Sequence, residues 1–131
     1  MDEVIAFLKE CGVFFLATVD ASQGRVRPMG FVMNYSGRMC FCTSNQKNLF
    51  KQMKRSPRVE ICAFKDGTTL RITGIVGFEF SRDAKIKALE AAPELKKMYS
   101  VDDNIFEVFY FKEATAVFIK GDGSKKEIEI D

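Results

Sequence analysis

Apolar and polar residues alternate along most of this 131-residue chain, and the alternation predicts β-strands separated by short turns. Such strands are expected at residues 13–19, 25–35, 38–43, 58–64, 106–111 and 114–120. A longer strand follows the Asp66-Gly67 turn and carries on one face Leu70, Ile72, Gly74, Val76, Phe78 and Phe80. Turns rich in Gly, Asp and Ser join most neighbouring strands, which favours antiparallel hairpins.

Three stretches instead repeat their apolar residues at helical spacing. The first begins after Asp2 and ends at Gly12, and the second follows Asn45. The third begins at Ser81, a residue suited to capping a helix N-terminus, and is interrupted by Pro93. All three helices are expected to lie at the periphery of the strands.

The order of these elements predicts one domain over residues 1–131 that is mainly β, with a small antiparallel barrel and peripheral α-helices. Gly74 and Gly77 would let the fifth strand bend, as strands that wrap a small barrel must. Residues 106–111 are apolar on both faces, and we interpret one face as the contact surface of a partner subunit. The acidic tail 127–131 is expected either to add an edge strand or to be disordered.

Composition and charge narrow the classes of function. Hydrophobic residues make up 47% and charged residues 29% of the chain, which excludes intrinsic disorder. The net charge of +2 is too small to imply nucleic-acid binding. The four cysteines lie within apolar runs, and neither a signal peptide nor a membrane-spanning run is visible, so a cytoplasmic protein without membrane attachment is expected. The absence of histidine argues against a metal site.

Two neighbouring segments concentrate polar chemistry where strands carry or meet polar residues. Residues 25–31 contain a proline, which donates no ladder hydrogen bond, and a glycine, which lets a ligand approach the backbone. Residues 43–47 pass from a strand into a helix, whose N-terminus attracts anions. Hydroxyls and Lys47 placed there suit a phosphate group. The alternative is ordinary N-capping by Ser44 or Asn45 beside two solvated arginines.

The order and spacing of four segments resemble those of the FMN-binding split-barrel proteins related to pyridoxamine 5′-phosphate oxidase, especially the short members grouped with nitroimidazole-resistance flavoproteins. The resemblance covers nearly the whole chain, and the segments are residues 25–31, 41–47, 50–59 and 70–74. It implies a mainly β fold, a six-stranded antiparallel split β-barrel. It also implies a homodimer with one FMN in each of two clefts at the subunit interface.

The same resemblance assigns cofactor contacts residue by residue. Residues 27–30 would run along the flavin ring, and Arg27 would also reach the phosphate. Lys47 would neutralise the phosphate, and Arg71 would favour the reduced, anionic flavin. The full set of expected FMN-binding residues is Arg25, Arg27, Pro28, Met29, Gly30, Cys42, Thr43, Ser44, Lys47 and Arg71.

The expected function is an FMN-dependent oxidoreductase acting on a small acceptor, because a flavin itself carries hydride or electrons and needs few protein groups. A nicotinamide or a partner protein would supply the electrons. Vitamin B6 oxidation is not expected, since the chain lacks the C-terminal arginine and histidine elements of the true oxidases, and the histidine linked with nitroimidazole reduction in some relatives is missing as well.

Other functions compete with this interpretation. A non-catalytic flavin-binding or redox-sensing protein is an alternative that the sequence leaves open. An OB-like nucleic-acid binder is weaker, because the charge is near neutral and tryptophan is absent. Haem binding is also weaker, because no histidine can serve as an axial ligand, although Cys, Met or Tyr could.

Overall fold

The computed structural model describes residues 1–131 as one curled antiparallel sheet with helices around it. The strands are β1 (Phe14–Asp20), β2 (Gln23–Met29), β3 (Met33–Tyr35), β4 (Arg38–Ser44), β5 (Arg58–Lys65), β6 (Thr68–Glu79), β7 (Phe106–Ile119) and β8 (Lys125–Ile130). The helices are α1 (Asp2–Cys11), α2 (Asn48–Arg55), α3 (Arg82–Ala91) and a 3₁₀ helix, Pro93–Lys97. None of these helices is long and apolar enough to cross a membrane.

The sheet has the strand order β2-β1-β5-β6-β7-β4-β3, with β8 paired to β7. The first part of β7 pairs with β4 and its second part pairs with β8, so the sheet divides along this long strand. A β-bulge marks the division, because Lys112 has no partner on β6 and the register shifts between Ile75 and Val76. The architecture confirms the predicted fold class, with eight strands where the resemblance implied six.

The barrel interior is filled by apolar side chains that alternate with outward-facing residues along each strand. Phe41 lies at its centre, with ring centroids 5.3 Å from Phe109, 5.8 Å from Phe111 and 5.9 Å from Phe14. Helix α2 packs against β1 and β4 and buries Leu49, Gln52 and Met53. Helix α2 therefore ties two strands that are not hydrogen-bonded to each other.

The predicted strand at residues 25–35 is divided in the structure. Its first part, β2, pairs with β1, whereas its last residues form β3 and pair with β4. Residues 30–32 carry the chain from one edge of the sheet to the other. Edge position explains why Pro28 is tolerated, because an edge strand needs hydrogen-bond donors on one side only.

The prediction of two strands at 106–111 and 114–120 is wrong, because β7 continues through Lys112 and Glu113. Neither residue favours a tight turn, and the sheet absorbs the extra residue as the bulge. Of the two expectations for the tail, the edge strand is confirmed, since β8 pairs with β7 along its whole length.

The interpretation of residues 106–111 as a partner-facing surface is also wrong. Phe109 and Phe111 enter the barrel core, while Phe106 and Val108 form a second apolar cluster with residues of α3. Both faces of this run are therefore covered within a single chain. The sequence pattern predicted helix α3 but could not show that it packs on the face of β7 that carries Phe106 and Val108.

Candidate functional site

A pocket of about 300 Å³ opens where β2 and β4 end, and we call it the β2–β4 pocket. Its walls come from three places: the end of β2 with the residues that follow, the end of β4 with the start of α2, and the segment around the 3₁₀ helix. The lining residues are Pro28, Met29, Gly30, Phe31, Cys42, Thr43, Lys47, Ala92, Glu94, Leu95, Met98 and Tyr99. Six of the residues that the sequence predicted as cofactor contacts are therefore together: Pro28, Met29, Gly30, Cys42, Thr43 and Lys47.

Thr43 carries an unsatisfied polar group at this pocket. The residue is 5% exposed, and its Oγ1 is buried without any hydrogen-bond partner in the protein. Leaving a buried hydroxyl unpaired costs about 1–3 kcal/mol. A ligand that offers a hydrogen-bonding atom at this position would remove that cost.

Cys42 precedes Thr43 and also lines the pocket. Burial raises the pKa of the Cys42 thiol to about 12, and the nearby positive charge of Lys47 opposes the rise only in part. Near neutral pH the thiol therefore stays protonated. Cys42 can supply a weak S–H donor and an apolar surface, but not a thiolate nucleophile.

The connection from β4 to α2 leaves the start of the helix without a side-chain cap. Ser44 Oγ accepts a hydrogen bond from the Gln46 backbone N–H at 3.1 Å, and Asn45 Nδ2 donates to the Asn104 carbonyl at 2.8 Å. The N-cap position belongs to Lys47, which makes no capping bond, and the first turn has no acidic residue. The alternative of N-capping by Ser44 or Asn45 is therefore not what the structure shows.

A second, polar pocket of about 370 Å³ is formed by β2, the end of β1 and helix α2, and we call it the basic pocket. It is lined by Asp20, Arg25, Arg27, Asn48, Lys51, Gln52 and Arg55. Four of these side chains are cationic and one is acidic, and the Asp20 carboxylate lies 3.4 Å from Arg25 Nε. The two pockets share no lining residue, but their linings are consecutive in sequence at two points: Arg27 precedes Pro28 on β2, and Lys47 precedes Asn48 at the start of α2.

Arg27 is held in place by hydrogen bonds. Its Nη1 donates to Thr18 Oγ1 at 2.7 Å, and its Nη2 donates to Gln52 Oε1 at 2.7 Å. Burial, and secondarily the neighbouring charge of Arg25, lower the pKa of the guanidinium from its ordinary value. Arg27 is thus a fixed cation at the edge of the basic pocket.

Two of the predicted site residues lie outside both pockets. Ser44 is buried beneath the turn that it stabilises. Arg71 lies on the outer face of the sheet, where its Nη1 is 2.7 Å from Glu60 Oε2. Its position on β6 is separated from Pro28 on β2 by β5 and β1, so the structure does not bring Arg71 to the pockets within one chain.

Sequence reasoning missed one whole wall of the β2–β4 pocket. Ala92, Glu94, Leu95, Met98 and Tyr99 come from the 3₁₀ helix and its flanks, which pack against the outer face of β4 and β7. The interruption at Pro93 was visible in the sequence, but nothing local indicated what the interrupted segment would cover. The buried polar residues that hold Arg27 were also missed.

Comparisons with known proteins assign the chain to a family. A family model described as pyridoxamine 5′-phosphate oxidase matches residues 1–130. A NimC/NimA family protein from Clostridium acetobutylicum is 44% identical, with a TM-score of 0.93, and the match covers 98% of this chain and 93% of that one. A comparison with curated proteins gives no match.

Two more distant structures share the fold. General Stress Protein 26 from Bacillus anthracis is 16% identical, with a TM-score of 0.76 and coverage of 96% of this chain and 97% of that one. An FMN-binding protein related to pyridoxamine 5′-phosphate oxidase from Nostoc punctiforme is 12% identical, with a TM-score of 0.59 and coverage of 99% and 94%. The chain therefore belongs to the split-barrel family of proteins related to pyridoxamine 5′-phosphate oxidase.

Proposed function

We propose that this protein binds FMN in the β2–β4 pocket and the adjoining basic pocket and acts as an FMN-dependent oxidoreductase on a small acceptor. The observation that carries the proposal is the buried, unpartnered hydroxyl of Thr43 in a pocket whose other walls are largely apolar. Family membership and the FMN-binding relative from Nostoc punctiforme support the choice of cofactor.

The donor set fits the phosphate end of FMN. Lys47 and the uncapped first turn of α2 offer positive charge and free N–H groups, and Arg25 and Arg27 add two guanidinium groups from β2. Lys47 stands at the start of α2, while Arg27 contacts Gln52 one turn further along the same helix, so a phosphate bound between them would meet positive charge from two elements of the fold. Arg71 is not part of this proposed set, since it is paired with Glu60 on the outer face.

The β2–β4 pocket fits the ring end. Pro28 and Gly30 leave the backbone of the β2 end accessible, and at Gly30 even a Cβ would meet nothing closer than 3.7 Å. Leu95, Met98 and Tyr99 would cover the ring and exclude water. Bound FMN would supply the hydride or electron transfer, while the chain binds and orients the ring and offers the Thr43 hydroxyl to its polar edge.

The first prediction tests the cofactor. The purified protein should bind FMN and show the visible absorption of an oxidised flavin, and riboflavin should bind at least about tenfold more weakly because it lacks the phosphate. Fluorescence titration of both compounds measures the two dissociation constants. Equal affinity for the two would contradict the phosphate site, and a haem spectrum would replace FMN with a different cofactor.

Turnover separates the enzyme from a flavin-binding sensor. The FMN-loaded protein should oxidise a reduced nicotinamide without air when a quinone or nitro compound is supplied as acceptor. If the bound flavin is not reduced by the nicotinamide, and if chemically reduced flavin does not pass its electrons to these acceptors, the non-catalytic alternative is favoured.

We further propose a homodimer with the flavin at the subunit interface. The outer face of β2, β1 and β5 carries three largely exposed apolar residues, Phe15 (49%), Val26 (69%) and Phe64 (67%). Phe15 pairs directly with Pro28 and Cys62, so these residues form one continuous surface. Apolar patches of this kind mark interfaces, and Pro28 joins this surface to the β2–β4 pocket.

The second prediction tests the dimer. Light scattering should give the mass of two chains at micromolar concentration, and Phe15→Lys should give the mass of one chain because it places a charge on the apolar face. Phe80→Lys is the control, since Phe80 is similarly exposed (61%) but lies beyond the end of β6. A monomeric wild-type protein that is fully loaded with FMN would overturn the interface site.

A further inference from the structure

We propose that Thr18 and Gln52 are positioning residues that hold the Arg27 guanidinium ready for the phosphate of FMN and so set the preference of the site for FMN over riboflavin. This inference rests on the proposed function, because it takes the basic pocket as the phosphate site. It concerns two buried polar residues that no feature of the sequence pointed out.

The three side chains form a closed set of hydrogen bonds. Arg27 Nη1 donates to Thr18 Oγ1 and Arg27 Nη2 donates to Gln52 Oε1, both at 2.7 Å. Thr18 Oγ1 in turn donates to Gln52 Oε1 at 2.6 Å. Thr18 comes from β1 and Gln52 from α2, so the guanidinium is fixed by two separate elements of the fold.

Counting donors shows that the network leaves part of Arg27 free. A guanidinium has five N–H groups. Nη1 is occupied by Thr18 and by longer contacts of 3.4 Å to the carbonyls of Leu16 and Arg25, whereas Nη2 makes one bond. The Nε–H and one Nη2–H therefore have no acceptor in the protein. Adjacent N–H groups of this kind bind two oxygens of one phosphate.

The location of the network also points to a ligand. Thr18 is 2% exposed and Gln52 is 7% exposed, although both are polar residues packed beside the apolar core. They bring a cation close to Arg25, Lys51 and Arg55 around the basic pocket, an arrangement in which the like charges repel one another. An anion bound in the pocket would offset that repulsion. Without a bound anion, the clustering of these positive charges does not stabilise the protein.

The physical effect of the network is preorganisation. A free arginine side chain must lose rotamer freedom when it binds a phosphate, and an arginine already held by two partners does not. Riboflavin has no phosphate and gains nothing from a fixed Arg27. The network should therefore change the affinity for FMN and leave the affinity for riboflavin unchanged.

The third prediction uses four variants of the full-length protein. Gln52→Met and Thr18→Val should each weaken FMN binding by about three- to tenfold, with riboflavin affinity unchanged within about twofold. Thr18→Ser keeps the hydroxyl and should retain the wild-type preference. Gln52→Glu keeps an acceptor for Arg27 but offsets its charge, so it should weaken FMN binding without lowering the melting temperature.

The control is Gln23→Met, since Gln23 is an exposed glutamine at the start of β2 whose side chain bonds only to the Gly24 carbonyl. It should leave both affinities unchanged. If FMN and riboflavin affinities fall together in folded variants, or if neither falls, the network serves only the fold and the inference is wrong. If the wild-type protein prefers FMN and the Gln52 and Thr18 variants keep that preference, only this inference is wrong. If the wild-type protein does not bind FMN, the proposed function is wrong as well.

Discussion

Replacing Lys47 with alanine is expected to weaken FMN binding by about ten- to hundredfold, the largest single effect that we expect at the site. Lys47 lines the β2–β4 pocket at the uncapped start of α2, and no acidic side chain forms an ion pair with it. A charge-assisted hydrogen bond to a phosphate contributes about 1.5–3 kcal/mol. Fluorescence titration of FMN against the cofactor-free protein measures the change.

Lys54→Ala is the matched control for this prediction. Lys54 lies on the same helix and carries the same charge, but its ammonium sits over the rings of Phe50, Phe78 and Phe80, away from both pockets. Its loss should change FMN affinity by no more than about twofold, because Lys54 lines neither pocket and the solvent screens an exposed charge that does not contact the ligand. An unchanged FMN affinity in a folded Lys47→Ala protein would remove Lys47 from the phosphate site.

Local chemistry made the central part of the site predictable. Each of two segments marks a strand end by its own residues. In residues 28–30 the proline lacks a hydrogen-bond donor and the glycine has no side chain, and in residues 42–47 hydroxyl side chains precede a helix. The structure brings both segments to one pocket. Helix α2, which follows β4 directly in the chain, packs against β1 and β4.

Features that depend on tertiary packing were not predictable from the pattern. Arg71 alternates along β6 like any outward-facing residue, and only the pairing with β5 places it opposite Cys62 on the outer face. Thr18 and Gln52 are both buried. The residues around them in the sequence give no sign that their side chains contact Arg27. In the sequence, residues 106–111 look like an interface strand because they are apolar on both faces. The helix that packs on their second face, α3, belongs to a separate segment of the chain, and the local pattern does not reveal that contact.

Substituting Gly74 with valine is expected to lower the free energy of unfolding by about 2–4 kcal/mol. Gly74 pairs with Ala114, one residue pair before the bulge in β6 and β7. A Cβ at this position would lie 2.6 Å from the Ala114 Cβ and 2.8 Å from its Cα, and would also meet the Glu113 carbonyl oxygen. These are backbone or backbone-proximal atoms of a central strand, so neither partner can move aside without distorting the pairing at the point where the barrel divides.

Gly24→Val is the control for the glycine substitution, because Gly24 also lies in a strand but a Cβ there would meet nothing within 4 Å. Its stability should stay within about 0.5 kcal/mol of the wild type. Urea unfolding of both variants measures the difference as a shift in midpoint at constant slope. An unshifted midpoint for Gly74→Val would mean that β7 can retreat at Ala114, and that the bend at the bulge does not require the close approach of these two strands.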